Sequence, residues 1–205
     1  MQRGHLQMLQ NIKKRNEGFT IIEVLIVLAI AGLILLIVFL AVPALQRNAR
    51  NTSRKTDVAA IGSALSNFMD NNNGILPNQV SDAGSTNTVR VLNSGNPGNY
   101  EQAKLGYYTT GGAGTPGATD GNIGIYCVGS GISCIGTSPA APSLSPPGTG
   151  VSSNAVAQDT VVIIVGETCD SAGTGPGTIS TRAIAIFYVI ETGSGNGDML
   201  CQQAA

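Results

Sequence analysis

Residues 19–45 form an apolar stretch broken by one charge, Glu23, and Val24 to Val42 supply nineteen consecutive uncharged residues. About 20 apolar residues at roughly 1.5 Å each cross a hydrocarbon core about 30 Å thick, so this stretch predicts a transmembrane helix. The pattern then changes: Gln46, Arg47, Arg50, Arg54, Lys55 and Asp57 make a polar segment, after which Val58, Ile61, Leu65 and Phe68 recur at steps of three, four and three. That spacing predicts an amphipathic continuation of the helix with one face buried. Asn71-Asn72-Asn73-Gly74 followed by Pro77 predicts its end. A helix from Phe19 to Asn73 would be on the order of 80 Å long. Pro43 lies inside it, removes a backbone hydrogen bond and predicts a kink or a melted turn just before it.

Two later segments have strand character. Residues 159–166 read DTVVIIVG and 182–191 read RAIAIFYVIE, rich in β-branched and aromatic residues and bounded by Gly or Ser. In the second, Ile184, Ile186, Tyr188 and Ile190 share one face and Ala183, Ala185, Phe187 and Val189 the other. NIGIYCV at 122–128 is a third, weaker candidate. The expected fold class is therefore α+β: a long N-terminal helix, half transmembrane and half amphipathic, packed on a C-terminal antiparallel sheet of three to five strands. Residues 78–121 are rich in Gly, Ser, Thr and Asn, with one possible short helix around Tyr100 to Tyr108, and 136–158 are a Ser, Pro, Ala and Gly tract read as a surface loop. Aromatic residues make up 4% of the chain and tryptophan is absent, so a modest core is expected.

Charge orients the chain. Arg3, Lys13, Lys14 and Arg15 precede the apolar stretch against the lone acid Glu17, and the positive-inside rule keeps such a segment cytoplasmic. The bulk of the chain is then expected outside. Glu23 is anomalous, because an ionised side chain within a span costs roughly 2 to 4 kcal/mol and marks a functional site by default. Catalysis is not expected: the single histidine, His5, lies before the span, and no metal or cofactor site is expected. Gly112 to Gly117 fits GxGxxG formally but lacks the strand and helix that aim amides at a phosphate, and Pro116 removes one amide. Asn51-Thr52-Ser53 fits a glycosylation sequon but falls on the predicted helix.

A basic leader ending in Gly18, followed by Phe19-Thr20-Ile21-Ile22-Glu23-Val24 and an apolar helix, resembles the precursor of a type IV pilin or a relative in the type IV filament superfamily. The likeness covers about residues 13–42. It implies that an inner-membrane prepilin peptidase cuts between Gly18 and Phe19 and methylates the new amine of Phe19. It also implies that Glu23 pairs with the terminal ammonium of an adjacent subunit, setting axial register; a buried charge is tolerable when paired, and breaking such a pair costs about 3 to 5 kcal/mol. Gly32 stands where a glycine is common in the family, whereas Pro43 stands about three residues beyond the usual first helix proline.

The resemblance divides the chain into a leader at 1–18, a transmembrane and filament-core helix at 19–45 and an exported domain at 46–205, the last made of an outer helix at 46–73, a loop-rich region at 74–121 and a sheet region at 122–205. Its implied partners are the membrane, further copies of itself, the peptidase, a platform protein and motor ATPases. The resemblance places the subunit in the cytoplasmic membrane before assembly and in a surface filament afterwards. Without residues 1–18 the chain carries 7 basic and 11 acidic residues, a net −4 that does not suit generic nucleic-acid binding. Arg47, Arg50, Arg54 and Lys55 are expected to form a juxtamembrane face buried between subunits. Cys127, Cys134, Cys169 and Cys201 all fall on the exported side, where disulfides form, and four cysteines permit three pairings. The favoured one joins Cys127 to Cys134 and Cys169 to Cys201, the latter in the position of the C-terminal disulfide loop of many bacterial pilins. Within the superfamily a major pilin competes with a minor pilin and a secretion pseudopilin. A different class, a secreted disulfide-stapled binding domain, would require ordinary signal peptidase cleavage after Ala31.

Overall fold

The structure is a computed structural model describing residues 18–82, 87–109, 119–120, 123–127, 159–193 and 197–204. Helix α1 runs Ile21–Asn71, 51 residues, with Pro43 inside it. That corresponds to about 77 Å. The helix ends where the asparagine run predicts: Asn73 has φ of 53° and Gly74 of 78°, and the Gly74 N–H donates to the Met69 carbonyl at 2.8 Å. This is the long bond of a Schellman cap, with asparagine in the left-handed position that glycine more often takes.

Two compact units are distinguished, one ending at Ala44 and the other running from Leu45. Every described residue of the first is exposed, and its large apolar side chains range from Phe19 at 88% to Val42 at 39% exposure. A helix apolar on all sides is not matched to water; it suits a bilayer or a bundle of like helices.

In the second unit α1 buries Arg54, Asp57, Val58, Ile61, Gly62, Ala64, Leu65, Phe68 and Met69. The four apolar positions singled out by periodicity are all at 1% exposure or less. Burying them contributes roughly 1.5 to 3 kcal/mol each, an upper estimate given a partly compact unfolded chain. They pack on two sheets. One has the order β1-β2-β3, from Gln79–Asp82, Thr88–Asn93 and Asn96–Lys104. The other has the order β4-β5-β6-β7-β8, from Thr119–Asp120, Ile123–Cys127, Val161–Cys169, Pro176–Ile190 and Asp198–Gln203. Val80, Val89, Val91 and Ala103 of the first sheet and Ile125, Ile163, Val165, Ile184, Ile186 and Tyr188 of the second share one core with the helix. Gly62 lets the helix approach closely, since a Cβ there would lie 3.3 Å from Gln202 Nε2 and 3.5 Å from Ile186 Cδ1.

The α+β architecture and the three anticipated strands are present, with differences in detail. The strands form two sheets, and β5 pairs with β6 in parallel, Ile123 opposite Val161 through Cys127 opposite Val165. A parallel pair needs a long connection, which residues 128–160 supply in length. The 78–121 region expected to be loose holds four strands, and the helix expected around Tyr100 is instead β3, paired antiparallel with β2. Strand β2 has a legible period of two, Val89 and Val91 inward around Arg90. Strand β3, NPGNYEQAK, is polar at nearly every position because it is an edge strand.

The two faces of β7 separate as the alternation predicts. Ile184, Ile186 and Tyr188 join the helix core, while Ala185, Phe187 and Val189 join Val162, Ile164 and Met199 in a second buried cluster. Gly166, at φ of 96°, sits where the β6 to β7 register shifts between Val165 and Glu167. A left-handed residue at such a bulge favours glycine.

Candidate functional site

The first unit holds Gly18, Phe19 and Glu23 at the start of α1. Thr20 is the residue before the helix, and its backbone N–H and hydroxyl both donate to Glu23 Oε2, at 2.8 and 2.7 Å. The Glu23 N–H reaches Thr20 Oγ1 at 3.4 Å. This is a capping box, T-x-x-E, in which a threonine and a glutamate satisfy amides that the first turn leaves without helical partners. The carboxylate also lies at the positive end of the helix dipole. Thr20 was not singled out from sequence as a site residue, although the T-x-x-E spacing before an apolar run was the signal that would have found it.

The second unit holds a polar clamp that apolar periodicity did not anticipate. Asp57, 3% exposed, accepts three backbone N–H bonds from the loop after β3: Gly106 at 2.7 Å, Tyr107 at 2.7 Å and Tyr108 at 3.0 Å. One turn earlier Arg54, 1% exposed, lies 3.2 Å from Asp159 and 3.0 Å from Glu191. Its guanidinium also donates to the Tyr107 hydroxyl at 2.5 Å and stacks over that ring at 4.5 Å. The same hydroxyl donates to Asp159 at 2.6 Å. Arg50 grips Glu191 with two bonds, at 2.8 and 2.5 Å. These Arg50 bonds hold the Glu191 carboxyl below its usual range and raise Arg50, whereas burial pushes the Tyr107 and Tyr108 hydroxyls up.

The basic cluster expected to face neighbouring subunits is thus partly internal. Arg54 and Asp57 fall on the stripe that carries Val58, Ile61 and Leu65, and a position on that stripe turns inward whatever its side chain. The Asn51 sequon is also engaged: its amide nitrogen donates to the Glu191 carbonyl at 2.9 Å, and its oxygen accepts from the Glu191 N–H at 2.8 Å.

Residues 13–39 match a family model described as the prokaryotic N-terminal methylation motif. The chain carries the type IV pilin/prepilin signature. Neither curated proteins nor solved structures match it. The signature implies processing by a prepilin peptidase and assembly into type IV filaments, and with the apolar helix it fits membrane anchoring before assembly.

In this prepilin-type protein Cys169 and Cys201 form a disulfide, with Cα atoms 5.7 Å apart. It joins the end of β6 to β8. Cys127 is disulfide-bonded as well, and Cys134 lies outside the described residues. Glycines 112, 114 and 117 and the Ser/Pro tract at 136–158 also lie outside them. Among the described residues no group of three or more His, Cys, Asp or Glu could hold a metal ion.

Proposed function

We propose that the chain is a structural subunit, the major pilin, of a type IV pilus that serves motility, adhesion or uptake, with no catalytic role. Cleavage falls between Gly18 and Phe19, Phe19 is N-methylated, and Glu23 pairs with the terminal ammonium of the next subunit. The observation that carries this reading is Glu23 itself, the one charge in the part of α1 up to Ala44, where every described residue is exposed. Such a helix must be covered, and a carboxylate within it needs a partner that the covering helices bring. Chain size and the loop-rich Gly/Ser composition support a major subunit over the shorter common pseudopilin, and retention of Glu23 supports a shaft subunit over a tip-initiating minor pilin.

Terminal sequencing and mass spectrometry of filaments sheared from cells test the proposal. The expected result is an abundant protein starting at methylated Phe19. A mature chain starting at Gly32, after Ala31, would overturn it in favour of a secreted binding domain, and a trace quantity would overturn the major-subunit assignment.

A further inference from the structure

Where α1 ends it faces the edge strand β3 across a cleft of about 400 Å³, lined by Asn71, Asn72, Gly98, Asn99, Tyr100 and Glu101. Two side-chain pairs cross the cleft. Asn71 donates to Glu101 Oε1 at 2.7 Å, and Asn99 donates to Asn72 Oδ1 at 3.1 Å, while Asn72 donates in turn to the Phe68 carbonyl at 2.7 Å. These bonds use one N–H of each of the three amides and fix the side chains. Each carboxylate and amide oxygen has two lone pairs, so the cleft keeps accepting capacity on Glu101, Asn71 and Asn99. An edge strand adds backbone donors and acceptors beside them. Tyr100, 41% exposed, supplies an apolar ring with a polar tip, and Arg90 is held 4.6 Å from its centroid.

The lining decides the ligand class. No lysine or arginine lines the cleft and Glu101 is negative, which disfavours phosphates and other anions. One carboxylate among amides falls short of the several charged oxygens a calcium ion recruits. Fixed planar amides, a carboxylate and an aromatic edge are instead matched to vicinal hydroxyls flanked by C–H surface. We infer that this cleft binds a neutral saccharide, at a position well removed along the chain from the Phe19 to Glu23 assembly site. The inference goes beyond the filament reading and does not depend on it.

Gly98 provides a steric test. A Cβ there would meet nothing nearer than Asn96 Oδ1 at 3.9 Å, so the side chain of Gly98→Leu starts in open space on the cleft wall and adds bulk there. The full chain, purified in detergent, is applied to an array of neutral mono- to tetrasaccharides, and hits are titrated calorimetrically. The expected result is binding of at least one saccharide, weakened about tenfold or more by Gly98→Leu and by Glu101→Gln with melting temperatures unchanged. Glu101→Gln keeps an oxygen for Asn71 and removes the charge, so it reads recognition separately from folding. Absence of binding to every arrayed saccharide, or equal binding by Gly98→Leu, would overturn the inference.

Discussion

Replacing Asp57 by alanine tests whether the polar clamp, and not only the apolar stripe, holds the second unit together. The carboxylate accepts N–H bonds from Gly106, Tyr107 and Tyr108, and hydrogen bonds to a charged group contribute about 1.5 to 3 kcal/mol each. The three donors differ in what replaces the carboxylate. Gly106 is exposed and Tyr107 half-buried, so water can reach their amides, whereas Tyr108 is 1% exposed and its amide would be left without a partner. An unsatisfied buried donor costs about 1 to 3 kcal/mol, and with the weakened exposed pair the total is about 3 to 5 kcal/mol. For a unit of this size that lowers Tm by about 6 to 20 °C.

Asparagine should rescue much of the loss. Gly106 binds one carboxylate oxygen while Tyr107 and Tyr108 bind the other, so an amide that keeps its oxygen toward Tyr107 and Tyr108 turns its NH2 group only toward the exposed Gly106. Asp70→Ala is the control, because Asp70 is exposed on the same helix and exposed substitutions usually stay within about 0.5 kcal/mol. The assay is urea and thermal unfolding of the full chain in detergent, followed by circular dichroism. An Asp57→Ala midpoint indistinguishable from that of Asp70→Ala would refute the reasoning.

Glu23→Ala should leave processing intact and reduce surface filaments, read by immunoblot of sheared material; normal piliation would remove the registry role. Thr20→Val should remove the two hydroxyl bonds, leave the residue-20 N–H bond to Glu23, and lower filament yield less than Glu23→Ala does; a yield below that of Glu23→Ala would contradict this order. The Glu191 carboxyl is held low in the folded state, chiefly by Arg50, so its contribution is present above the ordinary carboxylate value of about 4.3 and is lost as pH falls through the lower folded value. Urea midpoints should therefore drop on acidification below about pH 4.3, with a shallower slope in Glu191→Gln; identical slopes would exclude this group as the source. Cys169 and Cys201 are 32 positions apart, and in the chain-entropy model closing such a loop is worth about 3 to 4 kcal/mol. The double serine variant should lose that much stability, and an unchanged urea midpoint would show that β8 is held by its ladder alone.

Legibility followed the strength of each local pattern. The α1 stripe was readable from Val58, Ile61, Leu65 and Phe68, and its end from the asparagine run, because helix periodicity and capping are local. Strands β6 and β7 were readable because both their faces are buried, which gives an unbroken run of β-branched and aromatic residues. Strand β3 was not, since an edge strand with one inward side chain at Ala103 leaves almost no apolar signature. The parallel pairing of β5 with β6 was not legible either, because register between distant segments is a tertiary property. At the candidate site, Glu23 stood out as a charge among apolar residues. Arg54 and Asp57 did not, because polarity marked them as part of a juxtamembrane segment, with Arg54 expected against neighbouring subunits, although their spacing placed them on the stripe buried within the chain.

The capping box bears on how Glu23 is tolerated before any partner is present. A bare carboxylate in a span needs a cation, a donor or a proton, and here two donors come from Thr20, three residues away. Both lie at the helix start, where amides lack helical acceptors in any case, so the arrangement relieves two deficits at once. The threonine bonds are neutral and local, however, whereas a terminal ammonium offers a full charge. On the proposed reading, cleavage after Gly18 creates that ammonium one residue before Thr20. The carboxylate then has a weaker partner in its own chain and a stronger one on a neighbour. A subunit blocked by Gly18→Asp, which lacks the ammonium and keeps residues 1–18, should retain its capping box and its membrane helix and still fail to join filaments. Filaments built from uncleaved Gly18→Asp chains would show that the local bonds suffice and that the intersubunit pair is not what sets register.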